Sequence, residues 1–167
     1  MEQQHMRIKN KIFSLFVLLI FSFSCSFTSS SSEFCDWFNK SQQIRAVRIP
    51  AILSVQNVYT KYGTDKLDYS NSHMVTDMTN AMKEYISINE DFIDQWNDLG
   101  YVQPGEHYWA NELEAVQLFN DGFSKALEGM SSQDIDLINK GLKLYDQGND
   151  ASKKAETDMI KFNNDCN

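Results

Sequence analysis

The sequence contains few of the residues on which tight turns depend. Only seven glycines and two prolines occur among 167 residues. A sheet of many strands needs frequent turns, and glycine and proline supply most of them, so the composition argues against a multi-stranded β architecture. The composition therefore favours a helical protein, and we predict an all-α domain.

Basic residues are outnumbered by acidic ones. Fifteen Lys and Arg stand against 23 Asp and Glu, which gives a formal net charge of -8. Nucleic acids and anionic lipid surfaces attract clusters of lysine and arginine, and the chain has no such cluster. We expect no nucleic-acid partner, and contact with a membrane only through a lipid anchor.

Motifs of common catalytic and cofactor sites are also missing. No serine stands in a Gly-x-Ser-x-Gly pattern, and no glycine-rich phosphate loop occurs. A di-iron bundle needs two Glu-x-x-His motifs on facing helices, and covalent haem needs Cys-x-x-Cys-His; the sequence has neither. Acidic pairs such as Glu112 and Glu114 fit a solvated helix face. We therefore expect no enzyme activity, no metal site and no cofactor.

The N-terminal stretch has the pattern of a secretory signal peptide. Arg7, Lys9 and Lys11 precede an apolar run over residues 12–23, and small residues follow it. The run is about 12 residues long, whereas a membrane span needs about 20. We predict a signal peptide over residues 1–24 and an exported protein, whether secreted, periplasmic or held at the cell surface.

The three cysteines are an odd number for an exported protein, and two processing routes are open. Cleavage before Cys25 with lipid attached to its sulfur would make a lipoprotein, with residues 25–32 as a serine-rich tether. The preceding run resembles a bacterial lipobox in part, because Ser24 fits but Ser22 replaces the usual leucine. Cleavage after Ser26 would instead discard Cys25.

Residues 33–167 read as a helical domain with four long segments of helical periodicity. Pro50 interrupts the first segment, so we expect a kink there or two shorter helices meeting end to end. Gly122 and Gly129 predict a ragged end to the third helix, and residues 148–150 predict a kink or local break in the fourth. The predicted segments run from near 33 to about 62, from a cap signal at residues 70–72 to Gly100, from 106 to 130 and, beginning at a Ser131 cap, to about 164.

Short connections between these helices predict an up-down-up-down four-helix bundle. In this topology the start of the first helix and the end of the last lie at the same end of the bundle. Cys35 and Cys166 occupy these two positions, and both processing routes leave them to pair. We predict a disulfide between the first and last helices, closing a loop of about 130 residues and contributing roughly 4–5 kcal/mol.

Aromatic residues are predicted to gather at both ends of the bundle. The interpretation that we favour is a core layer of large side chains; the alternative is a ligand pocket. The residues that would line such a pocket are Trp37, Trp96 and Trp109 at the disulfide end, and Tyr59, Tyr62, Tyr69 and His73 at the other.

Two functions follow from this reading. The first is a non-catalytic interaction or structural module that recognises a protein partner at the cell surface or in the periplasm. The second is a bundle that binds a small molecule between helices near the aromatic clusters. A filled core with an exposed apolar strip would favour the first, and an apolar pocket would favour the second.

Overall fold

The computed structural model describes residues 33–63 and 70–166. The predicted signal peptide (1–24), the tether (25–32) and Tyr69 lie outside these residues. Within them the chain forms α1 (Glu33–Ala46), α2 (Ile49–Tyr62), α3 (Ser72–Leu99), α4 (Glu106–Ser132) and α5 (Ile135–Cys166). Because α1 and α2 follow one another along one arm, the bundle has four arms, and the predicted all-α four-helix bundle is confirmed. No helix among these residues is long and apolar enough to cross a membrane.

The first arm is divided where the sequence predicted an interruption. A turn at Val47 and Arg48 separates α1 from α2, and Pro50 lies in the first turn of α2. Proline is tolerated there because the first amides of a helix have no intrahelical acceptor, whereas inside a continuous helix its ring would clash with the preceding turn. Of the two predicted outcomes, two shorter helices meeting end to end is the one observed.

The arms pack in the order expected of an up-down-up-down bundle. The first arm packs against α3, α3 against α4, and α4 against α5, while α1 also contacts α5. Cys35 and Cys166 are joined by a disulfide with their Cα atoms 5.5 Å apart and a separation of 131 positions in sequence. The predicted link between the first and last helices is therefore confirmed, and it holds both chain ends of the domain together.

The most extensive contact in the bundle is the seam between α4 and α5. Small residues repeat along both helices at intervals of seven, so the two backbones approach closely. A Cβ placed on Gly141 would lie 2.5 Å from the carbonyl oxygen of Gly122. The repeating positions are Ala115, Gly122 and Gly129 on α4, and Gly141, Gly148 and Ala155 on α5.

These glycines correct two predictions about the helices. α4 extends to Ser132 without fraying at Gly129, and α5 runs unbroken through Gly148. The cost of glycine in a helix is about 1 kcal/mol relative to alanine. The close packing of the α4–α5 seam offsets this cost, because only glycine lets the backbones come so near.

The start of α5 also differs from the prediction. Ser131 belongs to the last turn of α4, where its hydroxyl donates to the carbonyl oxygen of Glu128. The residue that caps α5 is Asp134, whose side chain accepts hydrogen bonds from the amides of Asp136 and Leu137 at 2.9 and 3.1 Å. An aspartate carboxylate is a good N-cap acceptor and also complements the positive end of the helix dipole.

Candidate functional site

The three tryptophans meet at the disulfide end of the bundle, as predicted. The Trp37 indole donates to the carbonyl oxygen of Gly100 at 3.0 Å. The indoles of Trp96 and Trp109 each donate to the other residue's carbonyl oxygen at 2.9 Å. Every indole N–H of the group is thus bonded to the backbone, an arrangement typical of buried tryptophan in a core.

Tyr108 lies at the centre of this group and fills the space between the rings. Its ring centroid is 5.7 Å from that of Trp96 and 6.1 Å from those of Trp37 and Phe162, in edge-to-face geometry. Trp96 and Tyr108 are completely buried. We call this group the aromatic layer, and its members are Trp37, Phe38, Phe92, Trp96, Tyr108 and Phe162.

The pocket residues predicted for the opposite end occupy different environments. His73 is exposed at the start of α3. The Tyr62 hydroxyl and the Lys61 ammonium both donate to the same carboxylate oxygen of Asp77, each at 2.7 Å. The hydrogen bond from Lys61, followed by that from Tyr62, lowers the pKa of Asp77 below its ordinary range. Tyr59 faces a cavity between the helices.

This cavity is small and apolar, and we call it the methionine cavity. Its volume is about 10 Å³, which is roughly the space of one water-sized sphere. It lies between α2, α3, α4 and α5. Its lining consists of Tyr59, Met74, Met78, Met82, Ala126, Met130, Ile138 and Leu142.

A buried ion-pair network lies in the middle of the bundle, beneath the break in the first arm. Arg48 donates through Nη1 to Oε1 of Glu112 at 2.8 Å, and Nε of Arg45 lies 3.1 Å from the same oxygen. Only 2% of the Glu112 side chain and 7% of the Arg48 side chain are exposed. Two arginines therefore share one buried carboxylate.

Each of the three nitrogens of the Arg48 guanidinium donates a hydrogen bond to a neighbouring side chain. Nε donates to the Asn89 side-chain oxygen at 2.8 Å, and Nη2 donates to the Tyr85 hydroxyl at 3.2 Å. The cation also lies 4.8 Å from the centroid of the Phe92 ring. These contacts tie the turn between α1 and α2 to both α3 and α4.

Arg45 and Tyr108 connect this network to the aromatic layer. Burial alone would lower the pKa of Arg45, but its interactions with Glu112 and Tyr108 outweigh burial and the pKa is raised. Burial raises the pKa of Tyr108, whose hydroxyl accepts a 2.9 Å hydrogen bond from Gln42. Oε2 of Glu112 and Nε of Arg45 make no hydrogen bond within the described part of the chain.

Sequence reasoning placed Glu112 on a solvated face, and this prediction is wrong. The carboxylate is buried because Glu112 falls on the apolar line of α4, between Tyr108 and Ala115. Arg48 and Asn89 likewise interrupt the apolar lines of the first arm and of α3. Polar residues at inward positions on three neighbouring arms were the available signal for a buried network.

An apolar strip is exposed on the outer side of the same break. Val47, Pro50 and Leu53 are three residues apart, so they lie along one side of the chain. Val47 is 43% and Leu53 41% exposed, and Pro50 is exposed as well. We call these three residues the outer strip. Arg48 and Ala51, which alternate with them in sequence, are buried on the inner side.

Neither metal-ligand clusters in the described residues nor similarity to known proteins indicates a function. Within residues 33–63 and 70–166, no group of three or more His, Cys, Asp or Glu side chains could hold a metal ion. Comparison with protein-family models, curated proteins and solved structures gives no match. The structural features that bear on function are the aromatic layer, the buried network, the outer strip and the methionine cavity.

Proposed function

We propose that this protein is an exported, non-catalytic interaction module that binds a protein partner at the cell surface or in the periplasm. The observation that carries the proposal is the outer strip, an apolar surface placed over a break that a buried ion-pair network holds in position. Surface apolar groups that are grouped together are typical of protein–protein contact sites.

The aromatic layer favours an interaction module and argues against a ligand pocket at the disulfide end. Its rings pack against one another, and the indoles of Trp37, Trp96 and Trp109 are bonded to backbone carbonyls. These side chains therefore contribute to the core. Apolar surface available to a partner lies outside, and the outer strip of Val47, Pro50 and Leu53 groups several such residues together. Exposed apolar side chains also occur at Tyr101, Ile135 and Ile160.

The buried network supports the proposal because it anchors the turn beneath the outer strip. Arg48 lies in the turn that separates α1 from α2, and its contacts to Asn89 and Glu112 fix that turn against α3 and α4. A surface held in its binding conformation loses less conformational entropy on association. The network thus holds the turn beneath the outer strip in place, although none of the residues of the strip belongs to the network.

Charge indicates the chemistry of the partner. The chain carries a net charge of -8, and Glu84 lies beside the second half of the first arm, where it accepts a hydrogen bond from Ser54. A partner with apolar side chains surrounded by basic groups would match this surface, because complementary charge speeds and orients association.

The proposed location rests on the leader and on the disulfide. Disulfides such as Cys35–Cys166 persist in oxidising compartments and are rare in the cytosol. We propose export directed by residues 1–24, followed either by lipid attachment at Cys25 or by release without lipid. A diacylglycerol adduct on Cys25, sought by mass spectrometry of the protein from its own host, decides between these routes.

The interaction proposal is tested by photo-crosslinking in the native host. A photoreactive amino acid is placed at Leu53, and a matched variant carries it at Ser124, an exposed position on α4. We expect a discrete protein adduct from position 53 alone. The captured protein is then purified, and Leu53→Asp is expected to weaken its binding at least about tenfold, equivalent to 1.4 kcal/mol. Equal adducts from both positions, or unchanged affinity, would overturn the proposal.

A second candidate function is small-ligand binding, and the methionine cavity beside Tyr59 is the observation that favours it. Drug-sized ligands occupy pockets of about 300–1,000 Å³, far larger than this cavity, so its occupant would be very small. Native mass spectrometry of protein from its own host, followed by a denaturing spectrum, tests this function. Mass lost on denaturation would support it, and an unliganded polypeptide mass would count against it.

A further inference from the structure

We propose that the methionine cavity binds one monovalent soft metal ion, Cu(I), through the thioether sulfurs of its methionines. This inference is independent of the interaction module proposed above. It rests on the second candidate function and narrows it to a single ligand class.

Most methionines of the described residues are gathered around this cavity. Residues 33–63 and 70–166 contain five methionines, and four of them line this one cavity. Met74, Met78 and Met82 recur every four residues on α3, so their side chains follow one face of the helix. Met130 faces them from α4. Methionines from two helices therefore line the same space.

The thioether groups of these methionines favour a soft metal ion. Thioethers are soft ligands that select Cu(I) over hard ions such as Mg²⁺ and Ca²⁺. The two cysteine sulfurs of the domain, those of Cys35 and Cys166, are joined in the disulfide. Methionine needs no deprotonation and does not form disulfides, so it keeps its donor capacity under the oxidising conditions in which Cys35–Cys166 persists.

The size and the polarity of the methionine cavity also limit what it can hold. The cavity holds about 10 Å³, the space of a single small atom and far less than the pocket of a drug-sized organic molecule. A buried water needs two to four polar partners, whereas the lining is formed by methionine, aliphatic and tyrosine side chains. Of the small occupants, a soft ion is the one that this lining can ligate.

The charge of the ion sets a further limit. Neutral thioethers do not cancel the charge of a bound metal, and burying a charge in an apolar site is costly. The cost is lower for a monovalent than for a divalent ion. The ring of Tyr59 in the lining adds an aromatic group able to attract a cation. The lower cost of burying a single charge favours Cu(I) over Zn²⁺ or Cu²⁺.

Methyl NMR of the full chain tests the site directly. The protein carries ¹³C-methyl methionine and Cys25→Ser, which removes the cysteine outside the disulfide. It is titrated with Ag(I), a redox-inert probe of similar softness, and then with Cu(I) kept reduced by ascorbate. We expect the methyl signals of Met74, Met78 and Met130 to shift and to saturate at one ion per chain. The Met159 signal, which belongs to the opposite end of the bundle, should stay in place.

A matched pair of variants completes the test. Met78→Leu combined with Met130→Leu should abolish saturable binding, whereas Met159→Leu should retain it. Leucine has nearly the volume of methionine, so the core should remain packed; if the double variant does not fold, the methyl shifts of the unsubstituted chain decide alone. Absence of shifts at the cavity methionines, or equal shifts at Met159, would overturn the metal site. A bound organic mass without ion-dependent shifts would also overturn it while leaving the second candidate function standing.

Discussion

The indole of Trp96 donates to the backbone carbonyl oxygen of Trp109, and the indole of Trp109 donates to that of Trp96, both at 2.9 Å. One tryptophan lies in the last turn of α3 and the other in the first turn of α4. The pair therefore locks the α3–α4 connection through two hydrogen bonds that each depend on the register of both helices.

Trp109→Phe tests this lock. The variant keeps most of the aromatic surface but removes the donor to the Trp96 carbonyl, so we expect the free energy of unfolding to fall by about 1–3 kcal/mol. Urea denaturation followed by far-UV circular dichroism measures it. The control is Tyr101→Phe, since Tyr101 is exposed beside Trp109 and the loss of its hydroxyl should change stability by less than about 0.5 kcal/mol. Equal effects of both variants would contradict the role of the paired indoles.

Glu112→Ala is expected to destabilise the bundle strongly. The substitution leaves the guanidinium groups of Arg45 and Arg48 buried without their carboxylate, and such losses cost about 3–5 kcal/mol. Thermal and urea unfolding give the measurement. Glu114→Ala is the matched control, because Glu114 lies two residues away on the exposed side of α4.

Arg48→Met combined with Glu112→Leu should cost less than Glu112→Ala alone. Removing the charges of Arg48 and Glu112 together leaves one guanidinium, that of Arg45, without a carboxylate instead of two, and the apolar replacements fill the vacated volume. The same urea titration compares the two proteins. A double variant that is as unstable as the single one would show that the network contributes packing geometry more than charge pairing.

Gly141→Ala should destabilise the protein although alanine is the better helix former. The new methyl group would lie 2.5 Å from the Gly122 carbonyl oxygen and 2.8 Å from the Ala126 amide, so the α4–α5 seam would have to widen. Overpacking of this kind costs about 1–3 kcal/mol, more than the gain of about 1 kcal/mol in helix propensity. Asn139→Ala, at an exposed position of α5, serves as the control and should leave stability unchanged or slightly raised.

The pKa of Asp77 provides a pH-dependent test at the other end of the bundle. Hydrogen bonds from Lys61 and Tyr62 lower this pKa below its ordinary value of 3.8, so Tyr62→Phe should raise it. Because the pKa is lowered in the folded state, the stabilisation is present above pH 3.8 and is lost as the pH falls through the folded pKa. An NMR titration of the Asp77 carboxyl carbon measures the shift. Tyr59→Phe, one turn earlier on α2, should leave the Asp77 pKa unchanged.

Local sequence features predicted much of the fold. Helical periodicity and the scarcity of glycine and proline predicted an all-α bundle, and Pro50 predicted the division of the first arm. The positions of Cys35 and Cys166 agreed with the topology that the short connections imply. These features act over one helix or one turn, so they can be read without knowing which helices are neighbours.

Contacts between helices are what the sequence could not supply. The role of Gly141 depends on the backbone of Gly122 across the α4–α5 seam, and Gly148 therefore permits close packing where a local reading predicted a break. The predicted cap at Ser131 is wrong because Asp134, which is also a good N-cap residue, accepts the hydrogen bond from the Asp136 amide at the start of α5.

The sequence alone determined the helical class, the division at Pro50 and the two cysteines able to pair, because each follows from the covalent chain and its local energetics. Only the tertiary structure decided that Glu112 is buried between Arg45 and Arg48, and that four methionines share one cavity. The burial of a charge, or the lining of one cavity by methionines of two helices, depends on which faces of several helices meet, and that is set by packing across the whole bundle.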